Sequence, residues 1–174
     1  MQDSPDAPDE AAIAFAGRVF QAARDGQAEA LAEVLAAGLP PNLRNDKGDT
    51  LLMLAAYHGH ADTVRALLAA GADPGIANDR GQLPLAGAAF KGDMAVVETL
   101  LAHGAAVDGH GPDGRTALMV AAMFNRTGMV EALLRHGADP AARDAAGATA
   151  LDAARAMGAA DTAALLARDG RQAD

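Results

Sequence analysis

Apolar residues recur along the chain in short clusters that are separated by polar, glycine-rich segments. One cluster spaces Val64, Leu67 and Leu68 so that the three side chains share one face of an α-helix. A second apolar segment, at 50–57, precedes this cluster and is long enough for about two helical turns. The pattern therefore predicts two short helices joined by a turn.

This helical pair returns at a constant interval of 33 residues. The glycines that follow each second helix mark the interval at Gly38, Gly71, Gly104, Gly137 and Gly170. Glycines in the polar segments keep the same interval at Gly48, Gly81, Gly114 and Gly147. Because nothing is inserted or deleted between units, the period predicts an array of stacked helix–turn–helix units.

The residues at the predicted helix ends agree with this division. Thr50 precedes the first helix of its unit, where a hydroxyl can accept a hydrogen bond from an unpaired N–H of the first turn. Later units carry Thr116 and Thr149 at the same place. Gly59 and Gly92 predict a left-handed residue after the first helix, and Asn125 takes that position in the fourth unit.

The segment from Gly48 to Asp73 resembles an ankyrin repeat, and so do the segments 81–105 and 114–139. The resemblance extends over residues 12–170, with the period, the glycines, an alanine pair and a leucine pair all in register. It implies an all-α solenoid of about five repeats, with β-hairpin loops projecting to one side, and protein binding as the usual role. The family's Thr-Pro-Leu-His tetrapeptide is incomplete in every unit and its histidine is absent, which leaves the links between neighbouring loops unassigned.

We predict the following organisation from the period. The segments are an acidic, disordered tail at 1–11, an N-terminal capping repeat at 12–44, ankyrin repeats at 45–77, 78–110 and 111–143, a C-terminal capping repeat at 144–170, and a tail at 171–174. The last repeat has Ala163 and Ala167 where the others carry Val and Leu, so its interior should be thinner.

Composition first suggests a different conclusion. The chain has 47 alanines, whereas Leu, Ile, Val and Phe together number only 33 of 174 residues. So small a share of large apolar residues is typical of disordered chains. The repeat reverses that inference, because a solenoid buries a thin layer between neighbouring units and has no large centre to fill.

Charge and cysteine content narrow the possible functions. The formal net charge is −9, which disfavours binding to nucleic acid and suggests a basic protein partner. The chain has no cysteine, which excludes disulfides, thiolate metal sites and a cysteine nucleophile. An acidic N-terminus and the lack of a long apolar run predict a cytoplasmic protein, here expected to be monomeric, without membrane contact.

One segment approaches a catalytic motif. Residues 109–116 have the glycine spacing of a phosphate-binding loop, with Arg115 where the lysine belongs. Gly114 and Thr116 are also the recurring glycine and helix cap of the repeat, which is the reading we prefer. Nucleotide binding through this loop is kept as a remote alternative. The histidines lie apart from one another along the repeats, so we predict no metal, no cofactor and no enzymatic activity.

Aromatic residues and methionines fall in columns near the end of each first helix. In ankyrin-like arrays this part of the helix faces a concave groove, so the columns predict an exposed binding stripe; the alternative is that they fill space between units. The predicted contact residues of the columns are Met53, Tyr57, His58, Phe90, Lys91, Met119, Met123 and Phe124. The predicted rim consists of Asp46, Lys47, Asp79, Arg80, His110, Asp113 and Arg115.

These observations predict a non-enzymatic module that binds a protein partner through the groove and the loop tips, as an adaptor would. An alternative within this class is an inhibitor or immunity-type protein that covers the active site of a basic enzyme. The content of Ala, Gly and Arg resembles that of proteins from GC-rich bacteria. A reconstructed scaffold without a natural partner is disfavoured by the irregular tetrapeptides.

Overall fold

The computed structural model describes residues 10–169, and this part of the chain folds into ten helices. The helices are α1 (Glu10–Asp25), α2 (Ala28–Ala36), α3 (Leu51–Tyr57), α4 (Ala61–Ala69), α5 (Pro84–Lys91), α6 (Met94–Ala102), α7 (Ala117–Met123), α8 (Thr127–Arg135), α9 (Ala150–Ala156) and α10 (Ala160–Asp169). The predictions for residues 1–9 and 170–174 lie outside the described residues.

The helices form two layers. The odd-numbered helices α1, α3, α5, α7 and α9 pack against one another in chain order. Behind them, α2 packs on α4, α4 on α6 and α8 on α10, and each even-numbered helix also contacts the odd-numbered helix before it. This arrangement confirms the predicted all-α solenoid.

Helix ends follow the predicted chemistry. The Thr50 hydroxyl accepts a hydrogen bond from the Met53 amide at 3.0 Å, and Thr116 and Thr149 cap α7 and α9 in the same way. Asn125 has a φ of 54°, close to the left-handed conformation of Gly92 at 79°. Its side chain also accepts hydrogen bonds from the amides of Asp161 and Thr162, so Asn125 also caps the N-terminal turn of α10 in the next unit.

The core is a series of thin layers between the helices. The alanine pairs of the three internal repeats are fully buried, as Ala88 and Ala89 illustrate in α5. Fully buried residues of their second helices include Val64, Leu67, Val97, Leu100, Val130 and Leu133. Alanine allows the short first helices to approach closely, and the larger residues fill the space behind them.

Neighbouring loops are linked by residues other than the family's histidine. The Asn78 side chain donates to the Asp49 carboxylate at 2.8 Å, and Arg44 pairs with Asp79 at 3.2 Å. The Asp79 amide also donates to the Lys47 carbonyl at 3.2 Å. Within residues 10–169 the only β-type pairing outside helices is one isolated bridge between Arg44 and Thr50, so the projecting loops are tight turns.

The first helix is longer than the first helix of the other units. It spans 16 residues and begins at Glu10, so it extends into the segment assigned to the tail. The first unit lacks the Gly-x-Thr start found in most later units. The helix α1 therefore begins well before the position equivalent to the start of α3.

Candidate functional site

An open groove of about 420 Å³ runs along one side of the first layer. It lies across α3, α5 and α7 and is bordered by the loops before α5 and α7. The residues that line it are Met53, Tyr57, Arg80, Gly81, Gln82, Ala86, Gly87, Phe90, Asp113, Arg115, Val120, Met123 and Phe124. Eight of the fifteen predicted contact residues are among them, and the other seven lie outside this lining.

Three aromatic rings from three successive repeats follow one another along the groove. The rings of Tyr57 and Phe90 are stacked, with centroids 6.1 Å apart, and Phe124 meets Phe90 edge-on at 4.7 Å. Tyr57 and Phe124 are exposed by 38% and 42%, respectively, and Phe90 is half-buried between them. We call these three residues the aromatic row.

The row exists because aromatic residues lie at the same end of three successive first helices. Tyr57 and Phe90 are equivalent repeat positions, whereas Phe124 follows their equivalent, Met123, by one residue. Tyr57 is the last residue of α3, Phe90 is in the last turn of α5, and Phe124 caps the C-terminus of α7. Since these helices pack side by side, their ends align and the rings come into contact. Aromatic pairs in such offset or edge-on geometry add about 1 kcal/mol beyond their buried area.

The predicted exposure of the Met53 and Met119 column is wrong. Met53 is 4% exposed and Met119 is 2% exposed. Both lie in the N-terminal turn of their helices, where the amide of each donates to the hydroxyl of the capping threonine. Met53 is therefore part of the groove's floor, whereas the half-buried Met123 lies closer to its surface.

A glycine opens the floor of the groove. Gly87 lies inside α5, at the position that Leu54 and Val120 occupy in the adjacent repeats. A Cβ at Gly87 would lie 3.5 Å from the Met53 sulfur and 3.7 Å from a Tyr57 ring carbon, which is ordinary contact. Larger side chains at this position would fill the groove, so the missing side chain creates part of its volume.

A smaller pocket of about 210 Å³ continues the groove on the other side of Tyr57. Its lining residues are Arg24, Lys47, Asp49, Met53, Leu54, Tyr57, His58, Asn78, Arg80 and Gln82. We call it the cationic notch, after Arg24, Lys47 and Arg80. The Lys91 ammonium lies 5.0 Å from the centre of the Tyr57 ring, on the same ring that separates the notch from the groove.

Arg24 lines the notch although it is not among the predicted contact residues, because the first unit is predicted as a cap. A signal is present in the sequence, since Arg24 precedes Tyr57 by one repeat length and so belongs to the column of Tyr57 and Phe90.

Electrostatics around His58 reflect these cations. Partial burial lowers the pKa of His58 below its usual 6.5, and the nearby charges of His60, Lys91 and Arg24 lower this pKa further. Asp25 acts in the opposite direction. The imidazole therefore lies in a region of positive potential.

The predicted rim residues divide into two groups. Arg80, Asp113 and Arg115 line the groove, and Lys47 lines the notch. The others lie outside both linings. Among them, Asp79 pairs with Arg44, and a ring nitrogen of His110 lies 2.9 Å from the Gly111 carbonyl oxygen, while Asp46 is exposed.

The glycines of the 109–116 loop are explained by contact between loops. A Cβ at Gly111 would collide with the backbone of Gly81, and one at Gly114 would lie 2.9 Å from the Asp144 backbone. The segment leads into a helix of seven residues and follows no strand within the described part of the chain. A phosphate-binding loop needs a strand before it and a helix after it, so the geometry favours the repeat interpretation.

Residues 10–169 contain no group of three or more His, Asp or Glu side chains arranged to hold a metal ion. Over the same residues, none of the helices has the length and apolar character needed to cross a membrane.

Stacked helical pairs with tight loops and an open groove define the class of helical repeat proteins. Within that class, the chain belongs to the ankyrin repeat family, because the family model for ankyrin repeats (3 copies) matches residues 19–109 and 87–174. Ankyrin repeats generally mediate protein–protein interaction.

One relative comes from Pseudomonas aeruginosa and is named "Putative ankyrin repeat protein PA3287". It is 59% identical to this chain over 43 residues, which is 25% of this chain and 25% of the relative. The match therefore spans a quarter of the relative's length and supports the repeat family alone.

Proposed function

We propose that this protein is a non-enzymatic binding module that holds a segment of another protein in its groove. The aromatic row is the contact surface. Aromatic residues and Met are enriched at the centres of protein interfaces, where they add buried area with little loss of conformational freedom. Tyr57 and Phe124 are large side chains left exposed in a chain that has few such residues, which supports a role at an interface.

Gly87 is the observation that carries the proposal. A glycine inside a helix costs about 1 kcal/mol relative to alanine. Nothing in the packing requires it, since a methyl group would make ordinary contacts with Met53 and Tyr57. Packing therefore does not explain why a glycine stands at this position. The open groove that Gly87 leaves beside the aromatic row does explain it.

The charged groups at the border of the groove provide orientation. Arg80 and Arg115 belong to the loops that border the groove, and Arg115 is 3.8 Å from Asp113. Charges in such a rim steer a partner and select its register more than they add affinity. A segment lying in the groove would therefore meet an apolar side and a polar side.

The alternative of an inhibitor or immunity-type protein for a basic enzyme rests on the net charge of the whole chain. The groove itself is not acidic, because Arg80 and Arg115 line it beside a single carboxylate, that of Asp113. No feature of this surface favours that alternative over general protein binding.

The test is to display a library of random peptides and select binders to the immobilised full chain. Each binder is then measured against Gly87→Val, which fills the groove, and Tyr57→Ala, which shortens the aromatic row. We expect each substitution to weaken binding by about tenfold or more, as truncation of an interface anchor does. Gly87→Val also replaces a helical glycine, so the melting temperature should not fall.

Phe15→Ala is the matched control. Phe15 is exposed by 40%, similar to Tyr57, but it lies in α1 outside both linings. Its substitution should leave binding unchanged. If the selected peptides bind Gly87→Val and Tyr57→Ala as well as they bind the unchanged chain, the groove is not the binding surface.

A further inference from the structure

The groove region is basic although the chain as a whole is acidic. The formal net charge is −9, yet both lysines of the chain, Lys47 and Lys91, lie around Tyr57. Arg24 and Arg80 complete the cations at this point. The net charge of the protein therefore misrepresents the surface that a partner in the groove would meet.

The described part of the chain supplies no ion-pair partner for these four cations. Within residues 10–169 no carboxylate lies within 4.0 Å of Arg24, Lys47, Arg80 or Lys91. The one carboxylate of the notch, Asp49, is 7% exposed, and the side-chain amides of Asn78 and Asn45 donate to it at 2.8 Å and 3.4 Å. Asp49 is thus occupied by the loop structure, and the charge presented to an occupant is positive.

The shape separates two kinds of contact. On one side of Tyr57 the groove has an apolar floor and the rings of Phe90 and Phe124. On the other side, the notch of about 210 Å³ has several times the volume of a water molecule, about 30 Å³ in the liquid, and can admit a side chain. Lys91 covers the ring between them.

We infer that the groove takes a protein segment in which an acidic side chain lies next to an aromatic or aliphatic one. The carboxylate enters the cationic notch between Arg24, Lys47 and Arg80, and the apolar side chain rests on the aromatic row over Gly87. This inference rests on the proposed function and names the chemistry of its partner. It opposes the expectation of a basic partner, which followed from the net charge alone.

The sequences of the peptides selected on the full chain give the first test. We expect Asp or Glu beside aromatic or aliphatic residues in the peptides whose binding is lost in Gly87→Val. Enrichment of Lys and Arg, or of uncharged residues, in those same peptides would overturn the inference and leave the groove proposal standing. If no selected peptide depends on the groove, both proposals fail.

The second test removes the cations. The variant K47Q/R80Q/K91Q should bind a selected acidic peptide at least about tenfold more weakly, because charge-assisted contacts are among the stronger polar interactions. The control variant R65Q/R135Q/R155Q changes the net charge by the same amount at exposed positions outside the groove and the notch. It should change the affinity by less than about twofold, since exposed charges beyond a Debye length are screened. Equal losses in the two variants would assign the effect to net charge and overturn the inference.

The same assay also tests two other possible occupants of the notch. The variant D3N/D6N/D9N removes three acidic groups from the chain's own N-terminus. If this variant binds the peptide more than about tenfold tighter, the tail competes for the notch and the partner assignment is overturned. Binding of a single-stranded oligonucleotide that is lost in K47Q/R80Q/K91Q but not in the control would also overturn it.

Discussion

One buried position recurs in the second helix of the last four repeats as Thr63, Val96, Met129 and Thr162. Thr162 donates a hydrogen bond to the Ala122 carbonyl at 2.8 Å. The Thr63 hydroxyl is equally buried, but it has no hydrogen-bond partner in the described part of the chain. Two threonines at one repeat position thus differ in whether burial of the hydroxyl is compensated.

Substitution of these two threonines should have opposite effects. Thr63→Val removes an uncompensated polar group at the position where the next unit has valine, and should stabilise the fold by about 1 kcal/mol. Thr162→Val loses a made hydrogen bond and should destabilise it by about 1 kcal/mol. Urea denaturation of both variants measures the difference, and a loss of stability in Thr63→Val would contradict the assignment.

His58 provides a pH-dependent prediction. Burial, followed by the charges of His60, Lys91 and Arg24, lowers its pKa in the folded state, against the opposing effect of Asp25. The neutral form is therefore favoured, and any contribution to stability is present above pH 6.5 and lost as the pH falls below it. A bound carboxylate in the notch would favour the protonated form, so affinity for an acidic peptide should rise as the pH falls below 6.5.

The measurement is the peptide dissociation constant as a function of pH in the full chain and in His58→Gln. The substitution should flatten the rise at acidic pH while leaving the affinity at neutral pH nearly unchanged. An equally steep rise in His58→Gln would contradict the assignment of this pH dependence to His58.

Helix boundaries were largely predictable from the sequence, because their determinants are local. Thr50 and Asn125 act through their own hydroxyl or amide within a few residues, and a single sequence contains that information. Met53 was misplaced because helical spacing alone does not say which neighbour covers a side chain. The Asn78–Asp49 contact joins two units through an acidic residue that the following units replace by Gln82 and Arg115, so no motif revealed it.

At the scale of helices, the last pair has the weakest interior. Ala150 and Ala154 are the buried residues of α9, whereas α6 buries Val96, Val97 and Leu100. In α10 the half-buried Ala163 stands where the internal units have a fully buried valine. Each unit is stabilised mainly by its neighbours, and this terminal unit has one neighbour with little apolar area between them.

We therefore expect α9 and α10 to exchange amide hydrogens faster than α5 and α6 in native-state hydrogen exchange, because local opening there costs less free energy. Ala163→Val should slow the exchange of α10 by adding apolar area, worth about 0.5 kcal/mol at a half-buried site. Arg65→Gln, on the exposed side of α4, serves as a control without effect on α10. Uniform exchange across all repeats would show that the array unfolds as one unit.

For the whole molecule, the distribution of charge matters more than its sum. The acidic excess of −9 repels itself across the solenoid, while the cations around Tyr57 gather at one point of the groove. The sequence revealed the sum but not this separation, since Arg24, Lys47 and Lys91 are brought together only by stacking of the first three units. For this reason, the net charge alone leads to the prediction of a basic partner.

Added salt should therefore have opposite effects on the stability of the fold and on the binding of an acidic peptide. Screening of the acidic excess should raise the melting temperature between low and moderate ionic strength, by a few degrees at most. The same salt should weaken binding of an acidic peptide, because the attraction to the notch is screened. Thermal denaturation and peptide titration over one salt series measure both effects, and a parallel change in the two would contradict this division.

The aromatic row also links the groove to the shape of the array. Each of its three rings belongs to a different repeat, so the distance between neighbouring rings depends on the angle at which successive units are stacked. A change in the stacking angle that straightens the solenoid would move the rings apart and break up this surface. A bound segment that contacts all three rings would oppose that change. The distances between the rings therefore depend on the curvature of the array, and a protein bound to the aromatic row would stiffen the solenoid.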